Sequence, residues 1–314
     1  MKFTALKALA DLLVPRKCIV CGEKLTLVEE HLCRWCRDDM PLTRFWQVRH
    51  NRMADKFNER IQEGLETRWA QSEEDRTMSE GSRCNALEGF VYPPLERYAF
   101  ATALFFFNDD GDYKKIPYRI KYEGDIRAGR YFGTRLGEHM LSAEWFQDID
   151  VIIPVPLHWK RRWKRGYNQA EIIAEGIAEA LGVPVRNDIL KRRRNTLTQI
   201  SLNIEEKTAN VAGAFIACLP GLPKTTAQHT SNSTAQGPIN ATASMYDTTM
   251  ASEYASDLDH SGMTGNGNYI RHILLVDDVF TTGSTLTACF TALRAVFPSG
   301  VRISVATLAF VGRA

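Results

Sequence analysis

One stretch constrains this chain more than any other: Ile273-Leu-Leu-Val276, then Asp277-Asp278-Val-Phe, then Thr281-Thr282-Gly283-Ser284-Thr285. Four consecutive apolar residues read as a short strand buried on both faces. From Leu286 to Val296 apolar residues recur at helical spacing, so the small-residue run is the turn that enters a helix. Such a turn can wrap its backbone N–H groups round a phosphate, and the helix dipole favours the negative charge. The two carboxylates fall at the carboxyl end of the strand, where open α/β sheets bind ligands. They can accept hydrogen bonds from a ribose diol or help to hold Mg²⁺. Together these features describe a cradle for a phosphorylated sugar.

A chain of 314 residues has room for one large domain and one small one. Its formal charge of +2 is unremarkable as a total, because the basic residues are gathered in two clusters. No apolar run reaches the roughly 18 residues that span a bilayer, so no membrane insertion is expected. The opening segment Met1 to Val14 is interrupted by Lys7 and Asp11, which argues against a signal peptide and fits a short amphipathic helix.

Four of the seven cysteines form two pairs, Cys18-x2-Cys21 and Cys33-x2-Cys36, with eleven residues between them. Each pair is a knuckle that can turn two thiolates toward one ion, and two knuckles complete a tetrahedral zinc site. Gly22 supplies a permissive backbone for the first turn. A redox pair, or His31 in place of one thiolate, are the alternatives. A four-thiolate site is structural as a rule and leaves no open position for chemistry, although a zinc knuckle can also serve as a contact for nucleic acid or a partner. This cysteine usage suits a reducing compartment, and a cytoplasmic location is expected.

Residues 1–42 therefore read as an N-terminal helix with a four-cysteine zinc module. Residues 43–97 form a connecting region that suggests no function; Phe57 to Ala70 suits a helix, Gln71 to Ser82 a solvated loop, and Cys84 a lone thiol. From residue 98 to 314 strands alternate with helices, which indicates an α/β fold with a mostly parallel twisted sheet flanked by helices. Ala99 to Phe107 is the first strand, Tyr113 to Lys121 and Ala128 to Met140 are helices, and Val151 to Pro156 is a strand stopped by prolines. Lys121 is either an anion contact or a solvated side chain.

The first basic cluster, His158 to Arg165, holds five cations in six positions with Trp163 among them, and leads into a helix from Ala170 to Leu181. A basic loop ahead of a helix suits pyrophosphate, and cations interleaved with tryptophan also suit single-stranded nucleic acid. The second cluster runs from Leu190 through Arg192, Arg193 and Arg194 to Gln199. A helix near Glu205 to Lys207, a strand from Val211 to Ala217 and a final strand from Val301 to Phe310 complete the pattern. Both basic segments are expected as loops after strands of one sheet, facing the acidic pair. Residues 219–268 are Ser, Thr, Asn, Ala and Gly with few aliphatic positions, and read as a disordered surface insertion. Without it the chain carries about +5 by the same formal count.

The acidic pair followed by Thr-Thr-Gly-Ser-Thr resembles the motif with which type I phosphoribosyltransferases bind 5-phosphoribosyl 1-pyrophosphate (PRPP). With four N-terminal cysteines, Lys121-Tyr122-x-Gly124, Pro154-Val155-Pro156-Leu157, Arg162, Arg165-Gly166-Tyr167-Asn168-Gln169, Arg192-x-Arg194-x-Thr196-x-x-Gln199 and Asn210-Val211 with Phe215, the chain resembles the ComF family over nearly its full length. That family includes competence proteins used in DNA uptake and is amidophosphoribosyltransferase-like.

The resemblance implies that Asp277 and Asp278 contact the ribose hydroxyls, and that Thr281, Thr282, Gly283, Ser284 and Thr285 hold the 5′-phosphate. It implies that Pro156, Leu157 and His158 form the pyrophosphate loop, with Lys121, Arg162, Arg165, Arg192 and Arg194 as further contacts, and that Arg192 to Gln199 close over the ligand. The implied cofactors are structural zinc on Cys18, Cys21, Cys33 and Cys36, and Mg²⁺ with PRPP. The implied function is phosphoribosyl transfer to an unknown acceptor, a pentosyl (glycosyl) transferase. A non-enzymatic alternative binds PRPP and single-stranded DNA during uptake, beside a competence helicase-type protein. The insertion at 219–268 departs from the family, where a much shorter connection is usual.

Overall fold

The computed structural model describes residues 15–79, 96–108, 111–193, 213–218, 262–263 and 269–312. In chain order its helices and strands are Arg34–Asp38 (α1), Arg52–Ser79 (α2), Ala101–Phe107 (β1), Lys115–Tyr122 (α3), Ile126–Met140 (α4), Val151–Pro154 (β2), Trp159–Arg165 (α5) and Gln169–Leu181 (α6). Leu190–Arg192 (β3), Phe215–Ala217 (β4), Gly262–Met263 (β5), Tyr269–Ile270 (β6), His272–Phe280 (β7), Ser284–Arg294 (α7) and Arg302–Val311 (β8) follow.

Strands β1, β8, β7 and β2 lie side by side in that order, and every pairing is parallel. The α/β architecture with a mostly parallel, helix-flanked sheet is therefore present. Ile273, Leu274, Leu275 and Val276 are fully buried, as a central strand covered on both faces requires. Alternation along β7 divides the core in two. Ile273 and Leu275 join Phe57 of α2 with Leu286, Phe290 and Leu293 of α7. Leu274 and Val276 join Phe132 and Leu136 of α4 with Ile173 and Ile177 of α6, and the cysteine-rich segment packs on that same side.

Helices α4 and α6 approach closely because both carry glycine where they meet. A Cβ on Gly133 would lie 2.3 Å from the Ile173 carbonyl oxygen, and one on Gly176 would lie 2.3 Å from that of Arg130. The cysteine segment is tied down by Lys115, whose Nζ donates to the Val20 carbonyl at 2.6 Å, and by Tyr113, whose hydroxyl donates to the Cys36 carbonyl at 2.8 Å. Trp46 stacks on His139 of α4 at 4.2 Å between ring centroids.

Several sequence expectations need correction. The polar run from Gln71 is helical as far as Ser79, because α2 continues through it. The first basic cluster is a helix and not a loop: His158 caps α5 by accepting from the Lys160 N–H, and Gly166 closes it with φ of 82°. The second begins as a strand, since its residues Leu190–Arg192 (β3) pair antiparallel with β4 in a separate two-stranded ribbon. Neither β3 nor β4 belongs to the parallel sheet. Within the proposed insertion, Gly262–Met263 pairs antiparallel with Tyr269–Ile270, so at least these residues are ordered as strand. The expected helices at 1–14 and near 205–207, Cys84, Arg194, Thr196, Gln199 and the rest of 219–268 lie outside the described residues.

Candidate functional site

The site is made by a difference in strand length. Pro154 pairs with Val276, and the Val155 N–H still donates to the Val276 carbonyl at 2.8 Å. There β2 ends, because Pro156 has no N–H with which to continue a ladder. Strand β7 runs on to Phe280, paired on its other side with β8: Asp277 opposite Thr307, Val279 opposite Ala309 and Phe280 opposite Phe310. The acidic pair thus lies inside β7 rather than after it, projecting past the end of its neighbour. Strand β2 leads to α6 on one face of the sheet and β7 leads to α7 on the other. Neighbouring strands whose helices diverge in this way open a crevice at their carboxyl ends.

Successive residues of a strand point to opposite faces, and the two carboxylates are separated accordingly. Asp278 faces α3, where its Oδ2 accepts from Lys121 Nζ at 2.9 Å. Burial works against the lysine charge, but Asp278 and then Asp277 outweigh it and hold the Lys121 pKa above its ordinary value. Asp277 turns toward α7. Burial and the adjacent Asp278 charge push its carboxyl up to about 7, with Lys121 and Arg192 opposing. Its Oδ1 accepts from the Asp278 backbone N–H at 2.9 Å.

After Phe280 the chain turns through Thr281-Thr282-Gly283. Gly283, with φ of 82°, stands at the N-cap of α7, and a Cβ there would meet the Phe280 ring at 2.9 Å. No other residue suits that position. Thr282 Oγ1 and Ser284 Oγ share a hydrogen bond of 2.9 Å, so the hydroxyls line the same concave turn as the first backbone N–H groups of α7. A turn of this kind at a helix N-terminus is suited to an anion.

The remaining predicted contacts divide into two sets. Arg192, on β3, is brought to the site: its charge is felt by Asp277, by the buried thiol of Cys289 and by His158. Its guanidinium lies over the Phe215 ring at 5.1 Å. His158 is buried beside Pro156 and Leu157, and burial together with Arg192, Lys160 and Arg161 lowers its pKa, which suits the acceptor role of its Nδ1 at the α5 cap. Arg162 instead pairs with Glu171 of α6 at 3.3 Å, and Arg165 sits over the Tyr122 ring at 5.3 Å. Arg165 thus turns toward α3, whereas Arg162 belongs to the outer face of α5. That face also presents Trp159 and Trp163, 65% and 86% exposed and one helical turn apart, beside a cavity of about 540 Å³ lined by both tryptophans, Arg162 and Gly166.

Sequence reasoning missed two cations altogether. Lys56 and Arg60 come from α2, more than 200 residues earlier in the chain. Lys56 Nζ donates to the Thr281 carbonyl at 3.2 Å, and Arg60 Nη1 lies 3.4 Å from Ser284 Oγ. Their spacing of four residues, one helical turn, was the available signal.

In the N-terminal segment the four cysteines converge. Their Sγ atoms all lie within 4.8 Å of one another, and Cys21 and Cys33 are 3.7 Å apart. Sulfurs on a tetrahedral zinc are separated by about 3.8 Å, given Zn–S bonds of about 2.3 Å. Gly22 turns the first knuckle with φ of 80°, its N–H donating to the Cys18 carbonyl at 3.0 Å. Burial opposes ionisation of Cys18, but hydrogen bonds from the backbone of Cys21, Cys33 and Val20 outweigh it and bring the thiol down to about 7. The cluster can hold a metal ion. Among the described residues no helix is long and apolar enough to cross a membrane.

No protein-family model matches the chain. It is 29% identical over 145 residues to competence protein F of Haemophilus influenzae, a match that covers 46% of this chain and 44% of that protein. It is 35% identical over 71 residues to the DNA utilization protein YhgH of Salmonella typhi, covering 23% and 31% respectively. Against YhgH of Escherichia coli K12 it is 26% identical over 148 residues, covering 47% and 44%. The chain thus spans less than half the length of the curated relatives it matches. The parallel sheet, the acidic strand end and the four-cysteine cluster stand beside these matches, and the similarity to competence protein F and to the YhgH proteins over nearly half of the chain supports a relationship to the ComF family.

Proposed function

We propose that this protein binds PRPP with Mg²⁺ in the crevice beyond β2 and acts as a phosphoribosyltransferase-like protein of the ComF type. The observation that carries this reading is the joining of Asp277 and Asp278 to the Thr282–Ser284 turn by only a few residues of one strand. A ribose held at the carboxylates then has its 5′-phosphate within reach of the turn. Arg192, His158 and Lys121 stand across the crevice, where a pyrophosphate group would lie. In phosphoribosyl transfer, Mg²⁺ neutralises the departing pyrophosphate while positive charge develops on the ribose ring. The protein's own part is positioning and electrostatic stabilisation, which Asp277 and Asp278 can supply. The cysteine cluster is assigned to zinc with a structural role, because four thiolates leave no open position. A reducing, cytoplasmic setting accords with four cysteines kept as ligands.

Two assays test this function. PRPP with Mg²⁺ raises the melting temperature, as any ligand of the folded state does, and pyrophosphate is released in the presence of a suitable base or amine acceptor. Absence of any thermal shift at millimolar PRPP would overturn the assignment of the ligand. A shift without pyrophosphate release across a broad acceptor panel would assign binding without transfer.

A second reading has its own observation, the exposed tryptophans of α5 set among five cations. Stacked bases and neutralised phosphates are what single-stranded DNA requires of a surface. The relatives are named for competence and DNA utilization, and we infer that this chain handles single-stranded DNA in uptake, beside a helicase-type partner. Affinity for an oligonucleotide falls steeply with salt if this is right; a salt-independent or absent signal would end it.

A further inference from the structure

We propose that Lys56 and Arg60 of α2 are ligands of the phosphate group held by the Thr281–Thr285 turn, so that the helix preceding the sheet supplies half of the anion site. The inference rests on the phosphoribosyl reading of that turn and adds to it two residues that the turn's own sequence does not contain.

Three features converge. Both cations reach the turn itself: Lys56 donates to the carbonyl of Thr281, and Arg60 stands beside the Ser284 hydroxyl. The stem of Arg60 also covers Gly283, since a Cβ on that glycine would lie 3.5 Å from Arg60 Cδ. Secondly, the helix is fixed in this position by its buried face and not by the two cations. Met53, Ala54, Phe57 and Ile61 are buried, Phe57 meets Phe290 of α7 edge-on at 6.0 Å, and the Asn58 side chain bonds the Ala99 backbone in both directions at 2.8 Å. The cations are therefore delivered to the turn by packing that does not need them. Thirdly, they repel each other. Burial and then the Arg60 charge lower the Lys56 pKa, and Glu59 opposes this only in part. Two like charges one helical turn apart on a hydroxyl-lined helix N-terminus are relieved by a dianion placed between them.

A purely mechanical role, tying the turn to α2, would survive exchange of either side chain for another hydrogen-bonding group. The test therefore uses Lys56→Gln, Arg60→Gln, the double variant and the charge-retaining Lys56→Arg, each in the full chain, with ribose 5-phosphate and ribose as calorimetric probes. Both side chains are only partly buried, so all four variants should keep the wild-type melting temperature. Ribose 5-phosphate affinity should fall about tenfold for each charge removed, the scale of one charge-assisted hydrogen bond, and return toward wild type in Lys56→Arg. The salt dependence of binding should flatten in parallel, and ribose should bind no variant differently. Wild-type binding that persists unchanged in the double variant would overturn this inference and leave the phosphoribosyl reading intact. No binding of ribose 5-phosphate by the wild type would overturn both.

Discussion

Lys121 Nζ lies 2.9 Å from Asp278 Oδ2, with both side chains largely withdrawn from solvent. The pair joins α3 to the free end of β7, and so couples a helix to the carboxylate proposed to meet the sugar. Removing one member leaves the other uncompensated. We expect Lys121→Met to lower stability by about 2 kcal/mol, less than for a fully buried pair because both groups retain some solvent contact. Urea denaturation measures it, and a change near zero would show that the pair is solvated and contributes nothing.

Asp277 gives the protein a pH dependence of defined sign. Its folded-state carboxyl is pushed up to about 7 from an ordinary 3.8, by burial first and by Asp278 second. Between those values the folded state holds a proton that the unfolded state has lost. Stability from this group is therefore full below about pH 4 and is lost as pH rises through about 7. In the absence of metal and ligand, Asp277→Asn should be no less stable than wild type at pH 5 and more stable at pH 8. Equal pH dependence in both proteins would contradict the shift.

The crossing of α4 and α6 should be intolerant of a single methyl group. Gly133→Ala and Gly176→Ala each place a Cβ 2.3 Å from a backbone oxygen that cannot retreat without separating the helices. Each should cost about 3 kcal/mol. Gly64, in α2, faces nothing within 4 Å, and Gly64→Ala should instead stabilise by about 0.5–1 kcal/mol. Thermal or urea unfolding distinguishes these signs directly.

The cysteine cluster should hold one zinc per chain by elemental analysis. Cys33→Ser should abolish it, because Cys33 is both a candidate ligand and the cap of α1, accepting from the Cys36 N–H at 3.5 Å. Since this segment packs on the α4 side of the sheet, chelation should lower the melting temperature of the whole chain. A wild-type protein without metal, melting unchanged in chelator, would contradict this.

Trp159 and Trp163 should matter to DNA and not to folding. Their double replacement by alanine should weaken single-stranded oligonucleotide binding about tenfold or more, given about 1–3 kcal/mol per stacked base, with the melting temperature and PRPP affinity unchanged. Unchanged oligonucleotide affinity would remove α5 from the DNA surface.

What could be read from the chain follows from how local each signal was. Ile273 to Val276 could be identified as a doubly buried strand because four adjacent residues carry the pattern. The Thr-Thr-Gly-Ser-Thr turn was legible because its chemistry is contiguous. Helix α5 was read as a loop because cations between two prolines and a glycine look like a solvated connection; its cap, His158, is a residue seldom read as a helix start. Strand β3 was hidden for a similar reason, since its pairing with Phe215–Ala217 depends on a distant segment. The opposite orientations of Asp277 and Asp278 follow only once β7 is seen to continue to Phe280. For Lys56 and Arg60 the four-residue spacing shows only that they share a helix face, and it does not point to partners 225 and 224 residues away.

The most direct test is calorimetric titration of PRPP with Mg²⁺ into the wild type and into Asp278→Ala. Saturable heat in the wild type, with affinity lowered at least tenfold in the variant, is the result expected of a ribose held at the end of β7. Equal heats in the two proteins, or none in the wild type, would place the ligand elsewhere or remove it.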